Sequence, residues 1–544
     1  MKKNLASKLL LTLLALLAAS TAFAGITVKN YVDGDVIIVL KNPDSNPDSN
    51  STLTLASAGE ISGAKIRRTF ANLSRAKNQT FALIHSDNLS TQELISELQN
   101  NPDVIAASPN YKVRAAKLPN DPVIPSDSDD RLWSLKNINA PEAWEISTGS
   151  DDIYVAVIDT GIDHTHPDLS GVIATEYAYN TVDNNYDAAD IQGHGTHVAG
   201  TIGARGNNNL GLVGVNWNVK IIPVRVMDSD GYGTLEDVIE GVDHVIDLLQ
   251  KNPNMKLVAM NMSLEYYAYT VPSERQLKSD ALWLSFKTLD DMNRTVMVVA
   301  AGNISVEVGK PVPRTINDSG YIIPKNSYVY PASFTGLKNL ISVSATNQSG
   351  ELTSYTNTNA TISAPGGDYY GDGSLILSTW PANMYDSGRY TLDDGTTVCE
   401  MQGTSMATPH IAGAIALLQS AAEISGKTRS AYQLKMALLG GCDPNYSASS
   451  NSYAKISQGG DNFKLNLQDA IEYQEQRMSD PSNDISDTDA VSTEFAEDFD
   501  NTQYDYDYDY NIPRARHSSS GGGCNSGFGI ILAGICLLAR KIRK

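Results

Sequence analysis

From about Leu132 to Gln474, short apolar runs alternate with longer helical stretches, and this pattern constrains the fold of the 544-residue chain more than any other feature. The runs Ile153 to Ile158, Ile221 to Val226, Leu257 to Met260, Val296 to Ala300 and Leu340 to Ser344 are almost unbroken in their apolar character. A strand with one face in water alternates apolar and polar residues, whereas a strand covered on both faces does not. The expected fold class is therefore α/β, with a parallel sheet flanked by helices. In such folds catalytic groups gather at the carboxyl ends of the strands.

The region ahead of it reads differently. From Ile26 to about Val113, β-like runs such as Val36 to Leu40 and Thr80 to Ile84 accompany one helical stretch, Ser90 to Leu98, which opens with the Ser-x-x-Glu pattern of a capping box. A small α+β unit is expected there. The stretch Arg114 to Pro122, poor in apolar residues and bearing two prolines, reads as an exposed linker.

Both ends are distinctive. Met1-Lys2-Lys3 and Lys8 precede the apolar run Leu9 to Ala18 and then Ala22-Phe23-Ala24, the order of a secretory signal removed after Ala24. The run falls short of the roughly 20 apolar residues that cross a bilayer. Beyond Met478 the chain becomes acidic and polar, through Tyr504 to Tyr510 with its alternating aspartates, and then Ser518 to Gly523. Such a segment buries too little apolar surface to offset its ordering entropy, so a disordered stalk is expected. The segments are thus 1–24, 25–118, 119–475, 476–523 and 524–544.

A net charge of −21 argues against a nucleic-acid partner, since phosphate binding relies on basic patches. Four cysteines, at 399, 442, 524 and 536, are too few for a disulfide framework. Export permits a Cys399–Cys442 bridge, and two buried free thiols are equally compatible with the sequence.

Three segments place a reactive side chain beside glycines, in the order Asp, His, Ser. Val155-Ala156-Val157-Ile158-Asp159-Thr160-Gly161 delivers Asp159 at the end of a buried strand, Gly193-His194-Gly195-Thr196-His197 opens a helix, and Gly403-Thr404-Ser405-Met406-Ala407-Thr408-Pro409 sets Ser405 at another helix start, with Pro409 expected near the first turn. A serine hydroxyl attacks a carbonyl only with a base to take its proton, and that base needs a carboxylate to fix its tautomer. The helix amino terminus at Ser405 presents N–H groups to a developing oxyanion, and the side-chain amide of Asn303, after the strand Val296 to Ala300, is a second donor. Taken singly, Asp159 could cap a turn, His194 could be a structural hydrogen bonder and Ser405 an N-cap.

The three segments resemble, in order, the signature blocks of the subtilisin family over roughly Leu132 to Gln474. The resemblance implies a subtilisin-like fold and a serine endopeptidase acting on proteins or peptides through an acyl-enzyme, with no organic cofactor. It implies Asp159 as orienting carboxylate, His194 as base, Ser405 as nucleophile and Asn303 as oxyanion donor, with His197 packing within its own helix. A metalloprotease using His164, His166, His194 and His197 is the competing class, but no His-Glu-x-x-His segment is present. An inactive domain kept as a binding scaffold is the non-enzymatic alternative, and the intact blocks argue against it.

Several finer expectations follow from the same resemblance. Ser263, Leu264 and Glu265, with Gly302, match the substrate-binding edge strand and cleft wall. Relatives continue with glycines where this chain has Glu265-Tyr266-Tyr267, so the wall should narrow and carry a negative charge, favouring a basic residue near the cut. The competing expectation is a Glu265 side chain pointing into water. Asp168, Asn208, Leu210 and Leu212 match a structural calcium site of carboxylate, amide and backbone oxygens, while one extra residue between His194 and Gly211 shifts the loop. The unit ahead of the linker resembles an inhibitory pro-domain, self-cleaved between Val113 and Pro122. Gly521-Gly522-Gly523-Cys524, the apolar run Phe528 to Ala539 and the basic Arg540 to Lys544 resemble a bacterial envelope sorting tail. Such a tail is either cut near Cys524 by a sorting protease, leaving a lipid-modified cysteine, or kept as a single span with its basic end inside.

Overall fold

The computed structural model describes residues 31–41, 64–77, 79–111, 118–126, 129–313, 315–316, 322–442, 463–479 and 484–487. The signal segment, residues 114–117 of the linker, all of the stalk but 476–479 and 484–487, and the carboxyl-terminal tail lie outside the described residues, and so does half of the stretch expected to be cut. Contacts divide the chain into two compact units, residues 25–115 and the remainder.

In the smaller unit, strands β1 (Tyr31–Lys41), β2 (Lys65–Thr69), β3 (Gln79–His85) and β4 (Val104–Tyr111) form an antiparallel sheet in the order β2-β3-β1-β4. Along β3 every second residue is buried. Val36, Ile38, Leu40, Ala82 and Ile84 form one apolar face, and Leu94, Ile95 and Leu98 of the helix Thr91–Leu98 cover it. That helix begins as its sequence predicts, with Ser90 and Glu93 exchanging side-chain and backbone hydrogen bonds.

The larger unit is built on seven parallel strands: β5 (Gly149–Asp159), β6 (Tyr179–Asn180), β7 (Asn218–Arg225), β8 (Lys256–Met262), β9 (Val296–Ala300), β10 (Leu340–Thr346) and β11 (Ile362–Pro365). Their order is β11-β10-β9-β8-β5-β7-β6. The five predicted runs lie in these strands, save that Val226 falls one residue past the end of β7. Both faces are buried: Val155 and Val157 enter one core, and their neighbours Ala156 and Ile158 enter the other. The first core is shared with the helices His194–Gly203 and Thr404–Ile424, the second with Leu235–Lys251 and Ala281–Met292.

From β5 the chain goes first to the edge strand β6, comes back to β7 between β6 and β5, then crosses to β8 on the other side of β5 and builds the opposite way. The carboxyl ends of β5 and β8 therefore flank the switch point, where open α/β sheets form their crevice. Cys399 and Cys442 are both buried and no disulfide joins them. Among the described residues no helix is long and apolar enough to cross a membrane.

Candidate active site

Asp159 is the last residue of β5 and is fully buried. Its Oδ1 accepts the Thr160 N–H at 2.7 Å, and the His194 Nδ1–H lies 2.8 Å from Oδ1 and 3.0 Å from Oδ2. With Nδ1–H committed to the carboxylate, Nε2 is left as the basic atom of the ring.

Glycines make this approach possible. A side chain at Gly195 would collide with the carbonyl of Gly161, and one at Gly193, whose φ is +113°, would collide with the Trp380 ring. Asp190, which the sequence reading missed, ties the two segments together. Buried, it accepts hydrogen bonds from Thr160 Oγ1, the Gln192, Gly193 and Thr196 N–H groups and Thr196 Oγ1, while Thr160 Oγ1 accepts the Gly195 N–H. The available signal was an aspartate four residues before the histidine, a turn-forming position.

Ser405 is the second residue of the helix Thr404–Ile424 and is buried. Its Oγ donates to the Ser263 carbonyl at 3.2 Å, and Ser263 Oγ donates back to the Ser405 carbonyl at 2.9 Å. The second bond has a cause in the sequence. Pro409 lies inside the helix just past its first turn, and it has no N–H to give to the carbonyl of Ser405 four residues earlier. Ser263 supplies the missing donor. Among the described hydrogen bonds none joins Ser405 to His194.

Asn303 is oriented by Thr404, whose N–H and Oγ1 donate to Asn303 Oδ1 at 2.9 and 3.0 Å. Oδ1 is thereby committed to Thr404, and Nδ2 is the donor end of the amide. An ideal Cβ on Gly403 would stand 3.6 Å from Ser405 N and 3.8 Å from Asn303 Nδ2, so two donors from separate elements border one small space. Converging donors of this kind stabilise an oxyanion.

Residues 263–265 depart from expectation. Strand β8 is central in the sheet, not at its edge, and only the residues after Met262 clear it. Leu264 is buried in the second core, so only its backbone can meet a ligand. Glu265 does not point into water: it is 4% exposed. Its Oε1 accepts the Tyr267 hydroxyl at 2.7 Å, while Oε2 has no hydrogen-bond partner among the described residues and abuts Gly302, where any added Cβ would collide with it. The neighbouring Asn303 N–H favours the carboxylate without reaching hydrogen-bond geometry, and burial pushes Glu265 up to about 7.

His197 also differs from expectation. Its Nε2–H reaches out of its own helix to the Ile376 and Cys399 carbonyls at 3.0 and 3.1 Å, and burial lowers its pKa to about 3. His166 likewise faces a carbonyl, that of Thr397. Among the described residues no group of three or more His, Cys, Asp or Glu is arranged to hold a metal, which removes the support for a metalloprotease.

Asp168, fully buried, accepts the Asn208 Nδ2–H at 2.9 Å and the Leu212 N–H at 2.8 Å, and Asn208 Oδ1 accepts the Leu210 N–H. Asp121 accepts the Asn207 and Asn208 N–H groups, and Asp394 accepts that of Gly211. Burial first, then the carboxylates of Asp121 and Asp394, push Asp168 up to about 7.

A model described as the subtilase family matches residues 150–459. The chain belongs to the subtilase family. As a subtilase it is a serine-type endopeptidase, a hydrolase of peptide bonds. It is 31% identical over 392 residues to the thermophilic serine proteinase of Bacillus sp. strain AK1, covering 72% of this chain and 79% of that one. It is 29% identical to an extracellular protease of Xanthomonas campestris pv. campestris, covering 75% and 70%. Among solved structures, this subtilase is similar to a protease from Pseudoalteromonas arctica PAMC 21717 at 25% identity, with a TM-score of 0.46 and coverage of 65% of this chain and 99% of that one.

Proposed function

We propose that this subtilase is an exported endopeptidase, made as a precursor, with Asp159, His194 and Ser405 as its triad. The observation that carries the reading is the buried Asp159–His194 pair, with Ser405 N and Asn303 Nδ2 bordering a single space. For attack, the Ser405 hydroxyl exchanges its bond to the Ser263 carbonyl for one to His194 Nε2. Its oxygen then adds to the substrate carbonyl carbon as its proton passes to Nε2, and Asp159 stabilises the imidazolium. The carbonyl oxygen, now negative, is held by Asn303 Nδ2 and Ser405 N. Collapse breaks the C–N bond, the imidazolium gives its proton to the leaving amine, and water releases the acyl-enzyme by the same sequence. A fluorophosphonate should label Ser405 covalently; hydrolysis that persists without labelling would overturn the triad.

Calcium is proposed as a structural ion. The donors are the oxygens a hard cation takes: buried Asp168 lies close enough to Asp121 and Asp394 for their charges to raise it, and no cationic side chain is paired to it among the described residues, although the three carboxylates are not gathered into a ready-made cluster. Asp168, the Asn208 side chain and backbone oxygens of Leu210 and Leu212 would hold it, stabilising the folded state by linkage. A chelator should lower thermal stability and speed autolysis; no change in either would count against the site.

Residues 25–118 are proposed as an inhibitory pro-domain cut between Val113 and Pro122 by the enzyme itself. The Ser405→Ala protein should remain full-length, and a mature-sized product would point to another protease. Export by the signal segment and attachment near Cys524 complete the reading, in line with the extracellular relative. Mass spectrometry of the mature carboxyl terminus tests it, since an intact Lys544 would exclude sorting cleavage and an unmodified Cys524 would exclude the lipid.

A further inference from the structure

Glu265 combines three properties. It is buried, and among the described residues it has no cationic partner and its Oε2 accepts no hydrogen bond, the Asn303 N–H acting on the carboxylate only from beyond hydrogen-bond geometry. An unpartnered buried carboxylate oxygen is costly, and native structures retain one where a ligand or a reaction uses it. Its surroundings identify the ligand. Glu265 follows Ser263, whose carbonyl touches the Ser405 hydroxyl, by two residues, and Oε2 rests on Gly302, the residue before the oxyanion donor Asn303.

The two segments that border the reacting carbonyl, 263–265 and 302–303, thus meet at this carboxylate. The substrate residue that supplies the scissile carbonyl has its Cα one bond from the carbon Ser405 attacks, so its side chain must leave beside these same segments. A cationic side chain arriving there would give Oε2 the donor it lacks and the counter-charge that the protein does not provide. The Tyr267 hydroxyl holds the other oxygen, Oε1, and so fixes the carboxylate plane toward Gly302.

We infer that Glu265 is a specificity-determining residue that selects lysine or arginine as the substrate residue carrying the scissile carbonyl. The inference rests on the protease reading above and deepens it. Burial favours a neutral Glu265 in the empty enzyme, and an incoming ammonium or guanidinium favours the charged form, so binding and ionisation of Glu265 are coupled.

The test uses the matured wild-type enzyme and Glu265→Gln, each assayed on peptides that differ only in having Lys, Arg, Leu, Ala or Glu before the cut. Wild type should favour Lys and Arg, and the Lys-to-Leu ratio of kcat/KM should fall about 100-fold in the Gln variant, the scale for removing one partner of a buried charge pair. The wild-type profile stands by itself if the variant fails to mature: best cleavage after Leu or Ala overturns the role. An unchanged Lys-to-Leu ratio in Glu265→Gln also overturns it, reducing Glu265 to a packing residue. Normal fluorophosphonate labelling beside a flat profile would sink the specificity alone, whereas absence of both labelling and cleavage would sink the protease reading with it.

Discussion

The two units solve burial differently. In residues 25–115 an antiparallel sheet carries one apolar face, and along β3 buried residues alternate with partly exposed ones. In the larger unit a parallel sheet is covered on both faces, and β9 and β10 are buried at every position. The one-sided sheet buries only small polar side chains among its described residues, Asp35, Thr80, Ser86 and Thr91. The two-sided one takes polar groups inside, and His197, His410, Asp190 and Asn357 each have a named partner there. Deep polar burial is what makes the larger unit chemically capable and also what makes it conditional on pH.

The largest expected effect tests whether the chemistry belongs to the two-sided unit alone. His194→Ala should lower turnover about 10⁶-fold, a magnitude established for subtilisin itself rather than obtained from this chain. Activity within tenfold of wild type would break the contrast at its root.

Core truncation comes next. Leu94→Ala in the small unit and Ile415→Ala in the large one should each cost about 2–5 kcal/mol. A unit of roughly 90 residues holds only about 5–13 kcal/mol in all, so the first loss is a far larger share of what is available. Hydrogen exchange on the Ser405→Ala precursor should show β1 and β3 losing protection in the first variant, while β8 and β9 keep theirs in the second. Equal loss in both would erase the distinction.

The smallest effect sharpens the comparison through pH. Burial lowers His197 to about 3 and His410 to about 4 in the folded protein, against roughly 6.5 in an unfolded chain. Above pH 6.5 both states hold neutral rings and nothing is lost. As pH falls below 6.5 the unfolded chain takes up protons that the folded one refuses, so stability declines, by about 2 kcal/mol per histidine at pH 5. Urea unfolding of the Ser405→Ala protein between pH 8 and 5 measures this. A flat profile would mean that the two rings are not held neutral. The small unit's His85 sits only partly buried between Asp35 and Asp87, a setting unlike either.

The sequence alone determined the parallel sheet, because strands buried on both faces must be apolar throughout, and it determined Asp159, His194, Ser405 and Asn303 as candidates, because each sits in a local pattern at a strand end or helix start. The capping box at Ser90 was legible for the same reason, all of its partners lying within four residues. What only the tertiary structure decided are relations between distant segments. Asp190 bridges Thr160 and the His194 helix, Pro409 leaves a carbonyl that Ser263 satisfies from 142 positions away, and Glu265 turns inward onto Gly302. A pattern in sequence reports which face of an element is apolar; it cannot report which polar atom another element brings to that face. Donors and acceptors are matched in space, and folding alone sets those distances.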